Sequence, residues 1–133
     1  MPASPSEQQL LDTLIWKNMI PEHSYAGVAA FYDDYPVTEG HMILVPMNRE
    51  GRFLEYCFSR ALSIGNKKVA DREWASFNIG YNEGKEAGMT VDWPHVHLIP
   101  RRKGDVKDPT GGVRGVISDR QNYKKSKHYK KGK

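Results

Sequence analysis

Residues 94–100 read Pro-His-Val-His-Leu-Ile-Pro, and this stretch decides the fold that we predict for the chain. Imidazole and apolar side chains alternate along it, which is typical of a half-buried strand because successive side chains point to opposite faces. One face carries His95, His97 and Ile99, and the other carries Val96, Leu98 and Pro100. We therefore expect two imidazoles to project together from a sheet, while Val96 and Leu98 pack under a helix.

Three more strands are predicted upstream of this stretch. Residues 25–32 are mostly small, β-branched or aromatic, and a polar segment separates them from the apolar run at 41–45. This arrangement predicts a hairpin with a long turn. Apolar and polar residues then alternate over 77–81, which predicts a half-buried strand, and a glycine-containing loop follows at 83–88.

Two helices complete the predicted fold. A broad apolar stripe at helical spacing runs through residues 52–69 and would lie across the sheet. A short N-terminal helix is expected to start at Pro5 or Ser6. The linker between the hairpin strands is too short for a parallel crossover, so the simplest assembly is an α+β domain with an antiparallel sheet.

The charge distribution separates the end of the chain from the rest. A chain of 133 residues suits one domain, which we place at 1–119, and residues 120–133 hold seven Lys or Arg and no acid. This basic and flexible tail would attract polyanions, nucleic acid included, through phosphate contacts that weaken with salt. The alternative is a solvated segment that only keeps the protein in solution. The tail alone specifies neither a sequence nor a reaction.

Several features predict a cytoplasmic protein without a membrane span. The longest apolar runs, such as 42–47, fall far below the roughly 20 residues of a membrane helix, and no cationic segment followed by an apolar one marks a secretory signal. The one cysteine, Cys57, has no partner for an internal disulfide and is expected to be a core thiol.

The histidine pair suits several kinds of chemistry, and a purely structural pair is a further alternative. Metal ligation would need a third donor, for which Asp92 and His41 are the nearest candidates. Nucleophilic or acid–base chemistry needs a neutral imidazole near pH 7, which a reference pKa of about 6.5 provides. Thr90 and the loop amides after Asn82 add donors for a phosphate, so we favour a nucleophile and expect no metal or cofactor.

Two longer segments resemble the histidine triad superfamily. They are PVTEGHMILVP at 36–46 and YNEGKEAGMTVDWPHVHLIPRRKGDV at 81–106. GGVRGVI at 111–117 also resembles the segment located after the motif in bacterial members. The similarity runs over residues 15–117. It implies the α+β fold of that superfamily, with a long helix on an antiparallel sheet, in proteins that commonly pair as homodimers.

The resemblance assigns roles within the second segment. In the pattern His-φ-His-φ-His-φφ, where φ is apolar, Trp93 stands in place of the first histidine, His95 matches the histidine that attacks the α-phosphate, and His97 matches the one that contacts the phosphates. Thr90 keeps the hydroxyl of the phosphate contact, whereas Met89 replaces the family's glutamine. The replacements at Trp93 and Met89 bear on the reaction rate and on substrate preference. Pro94 lies directly before His95, and in this arrangement the segment resembles a related branch, the galactose-1-phosphate uridylyltransferases.

Other positions are assigned by the same resemblance. Asp33 matches the residue that grips ribose hydroxyls, although it could instead cap a turn, and Asn82 matches the asparagine near the phosphates. His41 is expected to support the site from behind or to face a polar surface. Ile15 and Trp16 would line a base pocket or pack in the core.

The activity that the resemblance implies is hydrolysis at the α-phosphate of a nucleotide. The substrate would be a dinucleoside polyphosphate, a phosphoramidate or another nucleotidyl conjugate, and the intermediate a nucleotidyl-histidine. One alternative is a nucleotidyl transferase or phosphorylase, in which another acceptor replaces water. The other is a nucleotide-binding regulatory protein with little turnover.

Overall fold

A four-stranded antiparallel sheet organises the molecule. The computed structural model describes residues 19–131, with strands β1 (Val28–Tyr32), β2 (Met42–Pro46), β3 (Ser76–Tyr81) and β4 (Val96–Arg101). Their order across the sheet is β1-β2-β4-β3, and each neighbouring pair is antiparallel. The predicted α+β fold and hairpin are confirmed, and the histidine strand is central. The predicted N-terminal helix lies outside the described residues.

One helix, α1 (Gly51–Ala70), packs across the sheet where the apolar stripe predicted it. Its inner side contributes Cys57, Ala61 and Ile64 to a buried cluster. The strands contribute Val28, Ala30, Met42, Leu44, Val96 and Leu98. Gly65 lies where α1 passes closest to the sheet, because a Cβ there would stand 2.7 Å from the ring of Phe77. The apolar face of β4 thus packs under the helix, as predicted.

The opposite face of the sheet carries a second, smaller cluster. Its buried members are Ala29, Phe31, Val45 and Trp93, with Met19, Ile43 and Met47 packed against them. Both faces of the sheet are therefore covered in part, and the histidines of β4 share the side of the smaller cluster.

Cys57 is a core residue, as predicted. Its side chain has no exposed surface in the structure, and burial raises the pKa of the thiol to about 12. The thiol is therefore protonated at physiological pH.

The sequence predicted that no apolar run is long enough to form a membrane-spanning helix. None of the helices within residues 19–131 combines the length and the apolar character that a bilayer crossing requires.

Residues 102–131 belong to a second compact unit, separate from the unit that ends at Arg101. Three short 3-10 helices lie in it, at Gly112–Val116, Ser118–Arg120 and Tyr123–Lys125. The guanidinium of Arg114 donates to the carbonyls of Gln121 and Arg120, and the side chain of Asn122 donates to Asp108. The domain boundary predicted after residue 119 falls inside this unit and stays a prediction.

Candidate active site

The two histidines lie side by side on the face of the sheet opposite α1. His95 directly precedes β4 and His97 lies within it, and their ring centroids are 5.1 Å apart. His97 pairs with Ile43 on β2 and with Gly80 on β3. A Cβ on Gly80 would meet no atom within 4 Å, so this glycine leaves the space beside His97 open. The shared orientation predicted for the imidazoles is confirmed.

The backbone of Trp93 determines which nitrogen of His95 carries the proton. His95 Nδ1 lies 2.9 Å from the carbonyl oxygen of Trp93. A carbonyl only accepts hydrogen bonds, so Nδ1 carries the hydrogen in the neutral ring and Nε2 keeps its lone pair. His95 lines a cavity of about 410 Å³. The ring therefore offers a nucleophilic nitrogen that is oriented by a backbone contact.

A chain of hydrogen bonds determines the tautomer of His97 in the same way. The backbone N–H of Val37 donates to His41 Nδ1 at 3.2 Å, and His41 Nε2 lies 2.9 Å from His97 Nδ1. His41 must therefore carry its hydrogen on Nε2 and donate it to His97. His97 Nδ1 then accepts, which leaves a hydrogen on Nε2 for a ligand. The structure thus places buried His41 behind His97, where it does not line the cavity itself, and its role in the site stays a prediction.

His97 and His41 are both held neutral. Burial, which is the largest cause, and the nearby His95 and His41 together lower the pKa of His97 to about 4 against the opposing effect of Asp33. Burial also lowers the pKa of His41, which Asp33 partly opposes. At pH 7, His97 therefore acts as a neutral hydrogen-bond donor.

Asp33 serves two contacts at the end of β1. Its Oδ1 accepts the backbone N–H of Tyr35 at 2.8 Å, which is the turn-capping role considered for it. Its Oδ2 lies 3.6 Å from His41 Nε2 and 3.9 Å from His97 Nδ1. The same carboxylate also lines the cavity, so the turn role does not remove it from the site.

The cavity brings together most of the residues that we predicted for the site. Predicted residues in its wall are Asp33, Asn82, Met89, Thr90, Trp93, His95 and His97. The rest of the wall is largely apolar or aromatic and was not predicted: Phe31, Tyr32, Asp34, Tyr35, Ile43, Val45, Gly88 and Val91. Ile15 and Trp16, considered for a base pocket, lie outside the described residues. The cavity thus joins imidazoles and a carboxylate to an apolar wall.

Trp93 is a packing residue in the smaller buried cluster, on the face of the sheet that carries the histidines. Its side chain is 6% exposed, and its Nε1–H donates to the carbonyl of Pro46 at 2.8 Å. The guanidinium of Arg49 stacks over the ring at 5.2 Å and pairs with Asp92 at 3.1 Å. The indole therefore connects the end of β2 and the loop after it to the segment that directly precedes β4.

The loop before β4 carries Met89 and Thr90 to the cavity. A 3-10 helix, Lys85–Ala87, ends at Gly88, whose φ of 100° is in the left-handed region that favours glycine. The backbone N–H of Met89 then donates to the carbonyl of Gly84 at 3.1 Å. This closed turn leads into Thr90, an exposed hydroxyl residue that lines the same cavity as His95.

Three side chains of the site could also hold a cation. Asp33, His41 and His97 each offer a donor atom, and these atoms lie within 4.8 Å of one another. Asp92, considered above as a third donor, is instead largely exposed and paired with Arg49. A metal on His41 Nε2 would displace the hydrogen that this atom donates to His97 and would oppose the Val37 N–H at Nδ1. The donor set therefore favours the hydrogen-bonded form.

Fold and site together define an α+β protein with paired histidines facing a cavity from a central antiparallel strand. Residues 23–104 match the family model of the HIT domain. The chain belongs to the HIT family, the family that the sequence resembles.

Two of the chain's relatives are named for an enzymatic activity and illustrate the similarity. The asymmetrical bis(5'-nucleosyl)-tetraphosphatase of Schizosaccharomyces pombe is 30% identical over 87 residues, which cover 60% of this chain and 48% of that protein. The adenosine 5'-monophosphoramidase of Saccharomyces cerevisiae is 30% identical over 76 residues, covering 55% of this chain and 48% of that one. The matched region is thus about half the length of each relative.

A solved HIT family protein from Bacillus anthracis shares the fold. It is 30% identical, with a TM-score of 0.58 over 71% of this chain and 70% of the other. This likeness agrees with the architecture that places β4 and its histidines at the centre of the sheet.

Proposed function

We propose that this protein is a nucleotide hydrolase in which His95 attacks the α-phosphorus of a nucleotidyl substrate. The observation that carries the proposal is the contact between His95 Nδ1 and the Trp93 carbonyl, which leaves the Nε2 lone pair on a ring that lines the cavity. An oriented neutral imidazole is what nucleophilic catalysis at phosphorus requires near pH 7.

The reaction has two displacements. His95 Nε2 forms a bond to the α-phosphorus, and the bond from phosphorus to the leaving group breaks, so the leaving group departs with its electron pair. The imidazole then carries a positive charge, which the hydrogen bond from Nδ1–H to the Trp93 carbonyl stabilises. Water attacks the same phosphorus, the N–P bond breaks and returns its electron pair to Nε2, and the mononucleotide leaves with the proton balance restored by solvent.

Other residues bind the substrate. His97 Nε2–H and the Thr90 hydroxyl donate to phosphate oxygens, with Asn82 beside them, and donors of this kind stabilise the charge that grows in the transition state. The carboxylate of Asp33 accepts hydrogen bonds from ribose hydroxyls. The base rests on the apolar wall that Phe31 and Ile43 contribute.

The names of the relatives support this class of substrate. The S. pombe relative is named as a dinucleoside tetraphosphatase and the S. cerevisiae relative as an adenosine phosphoramidase. We therefore propose dinucleoside polyphosphates and nucleoside phosphoramidates as substrates. Met89 replaces an amide in the family pattern and contributes only apolar contact in the cavity. This favours substrates whose leaving group departs without a hydrogen bond from the side chain at this position.

The test compares the native chain with His95→Ala on diadenosine tetraphosphate and adenosine phosphoramidate, following mononucleotide release. We expect a loss of at least about a thousandfold, the scale of a missing nucleophile. His128→Ala, an exposed histidine in the second unit, is the matched control and should keep full activity. Equal turnover by native and His95→Ala protein would overturn the proposal.

A second candidate is a nucleotide-binding regulatory protein without turnover. The burial of Trp93 in the smaller apolar cluster favours it, because no polar side chain stands at that position. Mononucleotide binding by calorimetry, combined with no release from any polyphosphate, would select this candidate.

Product analysis with added phosphate separates hydrolysis from a phosphorylase or transferase, since transfer would give a nucleoside diphosphate or a conjugate.

The proposed assembly is a homodimer that uses α1. Phe58 and Leu62 are four residues apart and therefore share one face of α1. They are 39% and 50% exposed, and apolar side chains of this size suit an interface between copies. Light scattering of the native chain and of Leu62→Glu tests this, with a monomeric native chain as the outcome that contradicts it.

The cytoplasm is the proposed compartment. Its reducing conditions suit a chain whose one cysteine is buried as a free thiol.

A further inference from the structure

The second compact unit has a strong excess of positive charge. Residues 102–131 contain ten Lys or Arg and three Asp, whereas residues 19–101 contain eight Lys or Arg and eleven Asp or Glu. The two units therefore differ in the sign of their charge. A unit with this composition attracts polyanions.

Local hydrogen bonds already occupy two of the three carboxylates. Asp108 accepts the backbone N–H of Thr110 at 3.0 Å and the side-chain amide of Asn122 at 2.9 Å. Asp105 accepts the backbone N–H of Arg102 at 3.0 Å. Within the described residues, the lysines of 124–131 form no salt bridge with a carboxylate, although Lys125 helps to lower the pKa of Asp108 at longer range. Most of these ammonium groups therefore remain for an external anion.

Hydrogen-bonded turns give the lysine-rich segment a defined shape. Asn122 Oδ1 accepts the N–H of Lys124, and Ser126 Oγ accepts the N–H of His128. The N–H of Tyr129 donates to the carbonyl of Ser126 at 3.0 Å. These turns bring the rings of Tyr123 and Tyr129 together, with centroids 5.9 Å apart and ring planes at 65°.

The tyrosine pair lies at the surface among the cations. Tyr123 is 42% exposed and Tyr129 is 38% exposed, so each presents ring surface to solvent. A cleft of about 480 Å³ lies in the same segment. Its wall is formed by Arg114, Asp119, Arg120, Asn122, Lys125, Ser126, Lys127 and His128. The surface therefore combines exposed rings with a cationic cleft.

We infer that residues 120–131 bind single-stranded nucleic acid, independently of the proposed hydrolase site. The lysines contact phosphates, and bases stack on Tyr123 and Tyr129, the combination by which proteins hold single strands without sequence preference. Duplex recognition is disfavoured because no helix or strand in residues 102–131 exceeds five residues, whereas a major groove takes a helix or a two-stranded ribbon.

The test measures fluorescence anisotropy of a labelled 12-nucleotide oligouridine with the full chain at several salt concentrations. Lys124→Gln/Lys125→Gln should weaken binding and lower the slope of log K against log salt by about 1.4, at roughly 0.7 for each lost phosphate contact. Lys67→Gln/Lys68→Gln, an adjacent lysine pair on α1, is the matched control and should bind as the native chain does.

The tyrosines separate stacking from simple charge attraction. Tyr123→Leu/Tyr129→Leu keeps apolar bulk and every charge, and we expect binding to weaken by about tenfold to a hundredfold, on the scale of lost base stacking. Tyr56→Leu on α1 is the control. Circular dichroism and nucleotide turnover of each variant report whether the chain still folds.

Two outcomes would overturn the inference. Inorganic polyphosphate that competes as well as the oligonucleotide, together with unchanged binding by the tyrosine variant, would indicate charge attraction alone. Binding to phosphatidylserine vesicles without binding to the oligonucleotide would point to a membrane surface, for which the exposed Val113, Val116 and Ile117 would supply apolar contacts. Weaker binding by both variants, with both controls intact, supports the inference.

Discussion

The two faces of β4 differ completely although they share one backbone. Val96 and Leu98 have no exposed surface and pack under α1, whereas His95 and His97 are half-buried and line the cavity. Because side chains alternate, a shift of one residue in register would exchange the two sets. The apolar face therefore holds the histidines in place, and packing on one side of the sheet determines which side chains face the cavity on the other.

The largest expected difference between the faces is in stability. Leu98→Ala should lower the free energy of unfolding by about 2–5 kcal/mol, because it leaves a cavity in the buried cluster under α1. His97→Asn should cost less than about 1 kcal/mol at pH 7, since the Asn oxygen still accepts the hydrogen from His41 Nε2. Urea unfolding followed by tryptophan fluorescence measures both. Equal losses for the two variants would contradict the division of roles.

The second prediction concerns the pH dependence of the histidine face. The pKa of His97 is about 4 in the folded chain and about 6.5 in the unfolded chain, so the unfolded state binds more protons between these values. This contribution to stability is present above pH 6.5 and is lost as the pH falls towards 4. It amounts to on the order of 3 kcal/mol.

The variant His97→Asn isolates that contribution from the carboxylates that titrate in the same range. The difference in unfolding free energy between native and variant protein should shrink or reverse as the pH falls from 6.5 to 4. A difference that stays constant across this interval would show that His97 does not carry a lowered pKa.

Trp93 offers a smaller test at the edge of the histidine face. Trp93→Phe removes the Nε1–H that donates to the Pro46 carbonyl but keeps an aromatic ring in the smaller cluster. We expect a loss of about 1 kcal/mol in stability and a small change in turnover, because the Trp93 backbone carbonyl still orients His95. A fall in turnover as large as that of His95→Ala would mean that the indole itself takes part in catalysis.

The smallest effect is expected at the exposed ion pair beside Trp93. Asp92→Asn removes the partner of Arg49, and both side chains are more than 40% exposed. Such pairs contribute about 0–1 kcal/mol and are screened by salt. Thermal unfolding at low and high salt should therefore show a shift of a few degrees at most, and only at low salt. A large shift at both salt levels would instead assign Arg49 a structural role through its contact with the indole.

The strand, hairpin and helix patterns were predictable because each depends on local periodicity. The alternation around His95 and His97 predicted their shared face, and the stripe over 52–69 differs from α1 by one residue at each end. Residues 94 and 95 were predicted to lie in the strand but precede β4, which begins at Val96. Pro94 has no N–H to donate to a neighbouring strand, which is consistent with this later start.

Contacts between distant segments were beyond the reach of local patterns. His41 and His97 are 56 positions apart, and only the register of β2 against β4 brings their rings together. The apolar wall of Phe31 and Ile43 depends in the same way on the pairing of β1 with β2. The acceptor of the Trp93 indole, the Pro46 carbonyl, lies at the end of another strand. Each of these required the three-dimensional arrangement.

The buried thiol of Cys57 has a practical consequence for spectroscopy. The chain contains one cysteine, and burial holds its pKa at about 12, so almost no thiolate is available to a maleimide or a nitroxide reagent at neutral pH. A cysteine introduced at an exposed position, such as Tyr35 at the cavity rim, would then be the reactive one. The native sequence is therefore already a suitable background for single-site labels that report ligand entry.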